Sequence, residues 1–574
     1  MAVQHDLVIR NGLIVDGGGG EPYVGDVAIS SGRLTSVGKV DGSGDNEIDA
    51  SGSVVCPGFI DVHTHYDGQA IWSEHLAPTS FHGVTTAVMG NCGVGFAPCR
   101  PGDHQLLVNA MEGVEDIPEV VMTTGLSWDW ETFSEYLDAL ESRRHDIDIA
   151  AYVPHSPLRV YAMGQRGADR EIATPDDNLQ MASLARSAIK AGAVGFSTSR
   201  TVVHRRGDGQ HIPSYQAEEA ELQAIAGALG GRGIVQLVTN LNEGESAEDW
   251  RVEVDLMERL SRSSGLPVTF TLNQINQAPE SFNKVLEWVD EANSRPGVRL
   301  RPQFSPRPIG VYIGFSLSAN PFSACPTYRA LESLPLEDRI VELRKPEVRE
   351  RIINEPPSSE VLPIVLMARQ FDKIFPLSDP PNYEPAPETS VAAMAAGQGR
   401  STMELIYDLL LENDGKAMLY IALSNFAYGD LNHVADMFSR SDTLVGLADG
   451  GAHYGMVCDA SYTTFILTHW TRQRSSGRIS LPEAVRRLTS EPAEALGFGD
   501  RGLLAAGRKA DLNVLDYDNL RLALPEVVYD LPGGGKRIHQ AAQGYRYTIV
   551  SGVPVVENDQ FTGSFPGRLV RGTR

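Results

Sequence analysis

A repeated unit in the middle of the chain constrains the fold more than any other feature. From residue 54 to residue 451, a short and nearly continuous apolar run is followed by a polar or glycine-rich turn and a helix-like stretch, such as EEAELQAIAGAL at 218–229. Strands that are apolar on both faces and separated by amphipathic helices are typical of a parallel sheet covered by helices. Eight such units predict an α/β fold of the (β/α)8 TIM-barrel type. The runs are VVCPGFIDVHTH (54–65), VTTAVMGNCG (84–93), DIAAYVPHS (148–156), AVGFSTSR (193–200), GIVQLVTN (233–240), PVTFTLNQ (267–274), VRLRPQFSPR (298–307) and DTLVGLADGG (442–451).

The two ends of the chain show a different pattern. Residues 6–57 and the C-terminal segments ADLNVLDYD and YTIVSGVPVVENDQ alternate short apolar runs with turn residues, which is typical of small antiparallel strands. Neither end is long enough to bury a core alone. We therefore predict that residues 1–57 and 503–574 form one composite β-sandwich domain. Residues 58–502 are then the barrel, inserted between the two halves of that domain.

The gap between the seventh and eighth runs is long and contains a proline-rich segment, FPLSDPPNYEPAPETS, at 375–390. Long loops inside compact domains are often lids or binding loops. We predict a lid insertion around residues 355–400 over the barrel mouth. The alternative is an ordinary surface loop that does not cover the mouth.

Charge and cysteine usage exclude several classes of function. The chain has 49 Lys and Arg against 74 Asp and Glu, so its formal charge is −25, and such a field repels a polyanion such as DNA. Five cysteines without a CxxC pair argue against a disulfide framework and for a reducing compartment. The start has no signal-peptide pattern, and no run of about 18 apolar residues follows it. We predict a cytoplasmic protein that acts on a small molecule, without a nucleic-acid or membrane partner; a homo-oligomer is left open.

The ends of the predicted strands carry residues suited to a metal site. In a barrel of this type the reactive groups stand at the C-terminal ends of the strands. The first run ends in His63-Thr64-His65. Side chains at i and i+2 project to the same face of a strand, so both imidazoles can reach one ion. The alternative is two surface or hydrogen-bonded histidines.

The second and eighth runs end in two further candidate ligands. Cys92 lies between glycines that permit a close backbone approach, although a free cysteine is often only a small buried hydrophobe. Asp449 ends the eighth run, where a carboxylate can ligate the same ion and carry a proton from water to a leaving nitrogen. Asp449 is therefore the candidate catalytic residue, and the alternative is a carboxylate that caps the next turn.

Substrate recognition is assigned to four residues near the same mouth. Arg307 follows the seventh run, and its guanidinium can hold a carboxylate in a bidentate pair, with Arg200 after the fourth run as the alternative. His155 is either a hydrogen-bond donor to a polarised carbonyl or a core histidine. His453, just beyond the eighth run, completes the candidate substrate-binding set.

Several longer motifs resemble the amidohydrolase superfamily of metal-dependent hydrolases, and more closely its D-aminoacylase (N-acyl-D-amino-acid deacylase) branch. By that resemblance His63, His65 and Asp449 match the ligands of one metal site, and Cys92 matches a thiolate ligand. The resemblance covers essentially the whole chain and implies Zn²⁺, with another divalent metal as the alternative; because of the departures described next, we predict one ion per chain. The motifs are GFIDVHTHYDGQ (58–69), GVTTAVMGNCGVGFAP (83–98), PHSPLRVYAMG (154–164), AGAVGFSTSR (191–200) and DRGLLAAGRKADLNVLD (500–516).

The chain departs from the family at the ends of the fifth and sixth runs. There the family has histidines that complete a second, tight metal site, whereas this chain reads VQLVTNLNEG (235–244) and VTFTLNQINQ (268–277). Asn240 and either Asn273 or Gln274 offer only neutral amide oxygens, which suit Zn²⁺ poorly. Three explanations remain: a single ion, missing ligands supplied by other histidines such as His155 or His453, or a metal-free homologue.

The sequence therefore predicts an amidohydrolase acting on a C–N bond other than a peptide bond. The substrate implied by the resemblance is a small molecule most like an N-acyl-D-amino acid, with Asp449 as the proton shuttle. One alternative is a cyclic amide hydrolase. The other is a non-catalytic binding or scaffold homologue without metal.

Overall fold

The computed structural model describes residues 4–241, 247–358 and 368–572. Each of the eight apolar runs contains a strand, and helices lie between successive strands, so the chain has an α/β fold. We number these strands one to eight. They are Phe59–Asp61, Val84–Met89, Asp148–Ala151 continued by Val153–Pro154, Gly195–Ser199, Ile234–Val238, Val268–Thr271, Leu300–Phe304 and Leu444–Val445.

The eight strands form two parallel sheets. Strands one, two and the first part of strand three make one sheet, and the second part of strand three continues in order through strand eight in the other. The sheets meet at Tyr152, whose backbone N–H donates to the carbonyl of Met89 at 2.9 Å. Thr64 and Gly450 form a parallel bridge, which brings the chain just beyond strand one beside the chain just beyond strand eight. Residues that follow these two strands are therefore neighbours.

The helices between the strands pack against the sheets through their apolar sides. Helix Pro175–Ala191 shows how the sequence sets its bounds: Thr174 and Asp177 form a reciprocal capping box, Pro175 takes the first position, and Gly192 ends the helix at φ 120°. Its buried residues join the main hydrophobic core. The helices outside the insertion described below are Gln69–Trp72, His104–Glu115, Glu119–Gly125, Phe133–Glu141, His155–Met163, Gln165–Ala168, Pro175–Ala191, Glu219–Ala228, Ala247–Ser264, Ser281–Asn293, Asn432–Ser439, Tyr462–Phe465, a π-helix Ile466–Gln473, Leu481–Leu488 and Ser490–Leu496.

Strands from both ends of the chain lie in one nine-stranded sheet. Val54–Pro57 pairs antiparallel with Leu512–Leu515 and parallel with Gln4–Ile14, so the sheet joins the two termini. The sheet is mixed, because Gln4–Ile14 also pairs parallel with Ser43–Asp49, and two short antiparallel pairs of strands accompany it. The β-sandwich and the division into domains stay predictions. The strands of this region are Gln4–Ile14, Tyr23–Ser30, Arg33–Gly38, Ser43–Asp49, Val54–Pro57, Leu512–Leu515, Tyr545–Val550, Val553–Glu557 and Gln560–Phe561, with Arg521–Leu522, Ala542–Gln543, Glu526–Leu531 and Gly535–His539 in the two short pairs.

The long gap between strands seven and eight folds into a unit with its own sheet and core. Ile309–Ile313 and Ile374–Pro376 both pair antiparallel with Leu419–Ser424, and a separate cluster of buried apolar side chains supports this sheet. The predicted lid at 355–400 includes residues 359–367, which lie outside the described residues. The helices of the insertion are Pro326–Arg329, Leu336–Leu343, Pro346–Asn354, Val391–Gln398 and Thr402–Gly415. None of the helices described here is long and apolar enough to cross a membrane.

Candidate metal centre

The two histidines of the HTH motif lie side by side just beyond strand one. The backbone N–H of His63 donates to Asp61 Oδ1 at 3.2 Å, and that of His65 donates to the carbonyl of Gly450 at 2.7 Å. Both side chains are buried. The second bond fixes His65 against the loop that carries Asp449.

Cys92 enters the same space from a glycine-rich turn after strand two. Its backbone adopts the left-handed conformation with φ 57°, and its N–H donates to Gln236 Oε1 at 3.1 Å. A Cβ on Gly93 would lie 2.8 Å from the Cα of Thr198, so only glycine permits this approach of the turn to strand four. Close packing thus sets the thiol beside the histidines.

The strand-eight loop is backbone-strained where it reaches the cluster. Asp449 has φ 46° and His453 has φ 52°, both left-handed and neither a glycine. Such residues cost about 1–3 kcal/mol each and persist where the surrounding structure imposes them, often at functional sites. With Cys92 and Leu447, four of the residues at this site are held in that conformation.

The ligand atoms of His63, His65 and Cys92 lie close enough together to hold one metal ion, and Asp449 lies near both imidazoles. Cys92 Sγ lies 3.3 Å from His63 Nε2 and 3.7 Å from His65 Nε2. Asp449 Oδ1 lies 3.4 Å from the first nitrogen and 3.6 Å from the second. Tetrahedral angles with zinc–ligand bonds of about 2.0–2.3 Å separate neighbouring ligand atoms by roughly 3.3–3.6 Å. The donor set and its spacing therefore fit Zn²⁺.

Both imidazoles are oriented by partners on their other nitrogen. His63 Nδ1 lies 2.9 Å from Gln303 Oε1, so the ring donates there and directs an unprotonated Nε2 at the cluster. His65 Nδ1 lies 3.3 Å from Glu115 Oε1. A carboxylate behind a ligating histidine fixes its tautomer and orientation. Gln303 thus accepts a hydrogen bond from the first ring, whereas Glu115 faces the second ring at ion-pair distance without a formed hydrogen bond.

The electrostatics of the cluster follow from its burial. Burial lowers the pKa of His63 to about 4, which favours the neutral imidazole that binds metals. Burial acts in the same direction on His65, but Glu115 and Cys92 outweigh it and raise the pKa of that ring. For Asp449, burial raises the pKa, but the imidazoles of His65 and His63 outweigh burial and leave it below its ordinary value.

The thiol of Cys92 needs a cation to ionise. Burial raises its pKa to about 12, so on its own it stays protonated at neutral pH. A coordinating metal deprotonates a thiol outright. A thiolate at this position therefore accompanies a bound cation.

The amides at the ends of strands five and six are engaged with the protein. Asn273 Oδ1 accepts from the backbone N–H of Ser305 at 3.1 Å and from Asn425 Nδ2 at 3.0 Å. Asn240 Oδ1 accepts from Val202 N–H at 3.3 Å, and Gln274 Oε1 accepts from Ala427 N–H at 3.2 Å. These oxygens bind donors of the chain, which leaves them poorly placed to ligate a second ion.

A cavity of about 160 Å³ opens beside the cluster. Larger surface clefts, of about 730, 530 and 480 Å³, are lined by other residues. Ile309 of the insertion contributes one wall of the small cavity. Its lining comprises His63, His65, Cys92, Glu115, His204, Val238, Thr271, Asn273, Ile309, Leu447, Asp449 and His453.

Sequence reasoning missed two residues of this lining. Glu115 ends helix His104–Glu115, and its Oε2 lies 3.7 Å from His453 Nε2. His204 comes from the loop after strand four, where its Nδ1 lies 2.9 Å from Ser199 Oγ, and burial lowers its pKa to about 3. Neither residue stands at a strand end, and no spacing in the sequence would have identified them.

His155 is a core histidine. It is fully buried, with Nδ1 2.8 Å from Thr198 Oγ1 and Nε2 2.7 Å from Glu221 Oε1. Arg159 shares the same carboxylate. Both ring nitrogens therefore have protein partners, and of the two roles considered for His155 the structure favours the core one.

The two arginines expected to bind a substrate carboxylate are paired within the protein. Arg307 is fully buried and donates to Asp459, to Ser461 Oγ at 3.0 Å and to the carbonyl of Cys458 at 3.1 Å. Arg200 donates through Nε and Nη2 to Glu253. We expected Arg307, or alternatively Arg200, to bind a substrate carboxylate at the barrel mouth. In the structure both guanidinium groups instead bind acidic side chains from other segments of the chain.

Comparison with known proteins decides the family. The model of the Amidohydrolase family matches residues 46–556. The chain belongs to the amidohydrolase family. It is 27% identical to D-aminoacylase of Alcaligenes xylosoxydans xylosoxydans over 99% of this chain and 98% of that protein. It is 26% identical to N-acyl-D-glutamate deacylase of the same organism over 99% of this chain and 96% of that protein.

A solved structure supports the same placement at the level of the fold. It is N-acyl-D-glutamate deacylase from Bordetella bronchiseptica, complexed with zinc and a phosphonate inhibitor. The chain described here matches that structure with a TM-score of 0.64 and 24% identity, over 99% of this chain and 100% of the other. The chain is thus a hydrolase of C–N bonds other than peptide bonds, in the D-aminoacylase-like branch.

Proposed function

We propose that this amidohydrolase cleaves the amide C–N bond of a small molecule with one divalent ion, Zn²⁺, held by His63, His65, Cys92 and Asp449. One observation carries the proposal: the Cys92 sulfur and an Asp449 carboxylate oxygen each lie 3.3 to 3.7 Å from the Nε2 atoms of both His63 and His65. This set of donors suits zinc better than Mg²⁺ or Ca²⁺, which prefer oxygen ligands.

A single ion accounts for the described residues better than two. Within residues 4–241, 247–358 and 368–572, the compact group of His, Cys, Asp and Glu ligands is His63, His65 and Cys92. The engaged amides of Asn240, Asn273 and Gln274 add no free ligand oxygen to it. His204 and His453 line the cavity and are the residues to examine if a second ion is found.

The chemistry divides between the ion and Asp449. A bound divalent ion supplies Lewis acidity to the substrate carbonyl and lowers the pKa of water toward about 7. Asp449 accepts the proton of the attacking water at its carboxylate and later returns it to the leaving nitrogen. Glu115 and Gln303 hold the two imidazoles in place meanwhile.

The relatives support an N-acyl-D-amino acid as the starting substrate class. A cyclic amide is the alternative within enzymes, and a metal-free binding or scaffold protein is the alternative outside them. We further propose that the two parallel sheets close into one barrel over 58–502, with 1–57 and 503–574 as the small β domain and the insertion as a lid. The Thr64–Gly450 bridge and the shared nine-stranded sheet support this division. Cytoplasmic location and homo-oligomerisation stay predictions.

The test combines metal content with an isosteric substitution. Protein prepared without chelator should contain about one metal equivalent per chain, whereas no metal would favour the scaffold. On a panel of N-acetyl and N-formyl D- and L-amino acids, their amides and cyclic amides, Asp449→Asn should lower turnover by about a hundredfold or more. Exposed Asp436→Asn is the matched control. An Asp449→Asn variant as active as the parent would remove Asp449 as the proton shuttle.

A further inference from the structure

We propose that this site takes an uncharged amide, in which the carboxyl group of an N-acyl amino acid is blocked or absent; this inference rests on the function proposed above. It follows from three observations. The described lining of the cavity contains no arginine or lysine, its remaining walls are apolar or neutral, and the nearby arginines are paired with acidic side chains of the protein.

A free N-acyl amino acid would place its carboxylate inside this cavity. The carboxyl carbon lies only about 2.5 Å from the amide nitrogen, two bonds away through Cα. A carboxylate so close to the reacting bond lies within reach of the side chains that line the cavity. A cationic group among them would favour its binding, and an acidic one would oppose it.

The cavity wall contains no such cation among the described residues. Its lining has no Arg or Lys. The internal segments outside the described ranges, 242–246 and 359–367, read NEGES and SEVLPIVLM and contain neither residue type. The wall already holds two acidic side chains, Glu115 and Asp449. An additional carboxylate would meet like charge.

The two arginines that follow the strand ends, Arg307 and Arg200, already form ion pairs with acidic side chains of the protein. Arg307 uses Nε, Nη1 and Nη2 on Asp459, Ser461 and the carbonyl of Cys458. Arg200 places Nε and Nη2 on Glu253 and Nη1 on the carbonyl of Ala217 at 2.9 Å. A substrate carboxylate would have to displace an internal carboxylate from either one.

The remaining walls suit a small uncharged group. Val238 ends strand five, Ile309 comes from the insertion and Leu447 from the strand-eight loop, while Thr271 at the end of strand six adds a neutral hydroxyl. The volume of about 160 Å³ is well below the roughly 300–1,000 Å³ of most ligand pockets. The overall charge of −25 also disfavours the approach of an anion.

The experiment compares substrates that differ in one charge. Metal-loaded protein is given N-acetyl-D-alanine, N-acetyl-D-alaninamide and N-ethylacetamide, and the L-forms of the first two. Water adds to the acetyl carbon, the C–N bond breaks, and acetate and the free amine are released; acetate alone is measured. We expect kcat/KM for the alaninamide to exceed that for the free acid by at least about tenfold. Equal or faster hydrolysis of the free acid would overturn the inference while leaving the proposed function intact.

Salt and a substitution give two independent readouts. The kcat/KM of the free acid should rise with ionic strength as repulsion is screened, and that of the alaninamide should not. Thr271→Lys should selectively raise hydrolysis of the free acid, with Thr271→Gln as the uncharged control. Arg205 is exposed on the loop next to His204, and a loss of free-acid hydrolysis in Arg205→Gln would contradict the inference by identifying a cation that reaches the substrate.

Binding separates failure of the inference from failure of the proposed function. If no compound in the series is hydrolysed, the amide-hydrolase proposal fails. Calorimetry with the same metal-loaded protein then compares N-acetyl-D-alaninamide with N-acetyl-D-alanine. Tighter binding of the alaninamide supports an uncharged ligand, and tighter binding of the free acid, or no binding of either, overturns it.

Discussion

Replacing Arg307 by Met tests whether this arginine stabilises the protein or binds substrate. Arg307 and Asp459 are both buried, and the guanidinium also lies 4.1 Å from the centroid of the Tyr383 ring. The substitution removes every hydrogen bond of the guanidinium and leaves Asp459 without its partner. We expect a loss of stability and no selective change in the binding of acidic substrates.

The expected loss follows from the environment of the pair. Removing one partner of a buried ion pair costs about 3–5 kcal/mol, because the other charge is left uncompensated. Burial already raises the pKa of Asp459, so the unpaired carboxyl group will take up a proton, which limits the cost. We therefore expect about 3 kcal/mol, near the lower end of that range.

Urea unfolding followed by fluorescence and by circular dichroism measures this loss. Arg344→Met is the matched control, since Arg344 and its partner Asp414 are exposed, and a surface pair contributes about 0–1 kcal/mol. A double variant, Arg307→Met with Asp459→Leu, should recover much of the loss because it removes both charges. Unchanged stability in Arg307→Met, together with a raised KM for N-acetyl-D-alanine alone, would refute the structural role.

Three further predictions concern the metal cluster. His63→Ala and His65→Ala should each strip the metal while circular dichroism stays native; stoichiometric metal in both variants would remove the assignment. Cys92→Ser should weaken metal binding strongly, since a neutral hydroxyl replaces a soft anion; unchanged affinity in competition with a chelator would make Cys92 a packing residue. Glu115→Gln should lower metal affinity by about 10–100-fold through loss of the carboxylate behind the histidine, and an unchanged dissociation constant would show that Glu115 does not orient that ring.

The sequence was most informative where function lies at strand ends. The alternation of side chains along a strand predicted that His63 and His65 face one point, and the order of the apolar runs predicted that Cys92 and Asp449 approach it. The structure brings these four side chains together. Such predictions work because parallel strands share one carboxyl edge, so position along the chain translates directly into position in space.

The sequence was least informative where a contact depends on packing between distant segments. Asp459, the partner of Arg307, lies 152 residues further along the chain, and no local sequence pattern predicts the pairing. Glu115 reaches His65 from the end of a helix, and His204 reaches the cavity from a loop. The insertion likewise forms its own sheet from three segments spread over residues 309–424, whereas the sequence suggested only a long proline-rich loop.

The departure at strands five and six links the number of metal ions to the choice of substrate. The resemblance implies histidines at those strand ends, and this chain has none there; Val238 and Thr271, from the ends of the same two strands, line the cavity. Without those histidines, the two strand ends offer no ligands for a second ion, and they give the cavity one apolar and one neutral polar wall. The positive charge that a second ion would contribute beside the substrate is then absent as well. A site with one ion, two acidic side chains and no free cation among its described lining residues has less to offer an anion than a two-metal site would. The proposed single ion and the proposed uncharged substrate thus both rest on these two strand ends, and Thr271→Lys changes the charge at one of them directly.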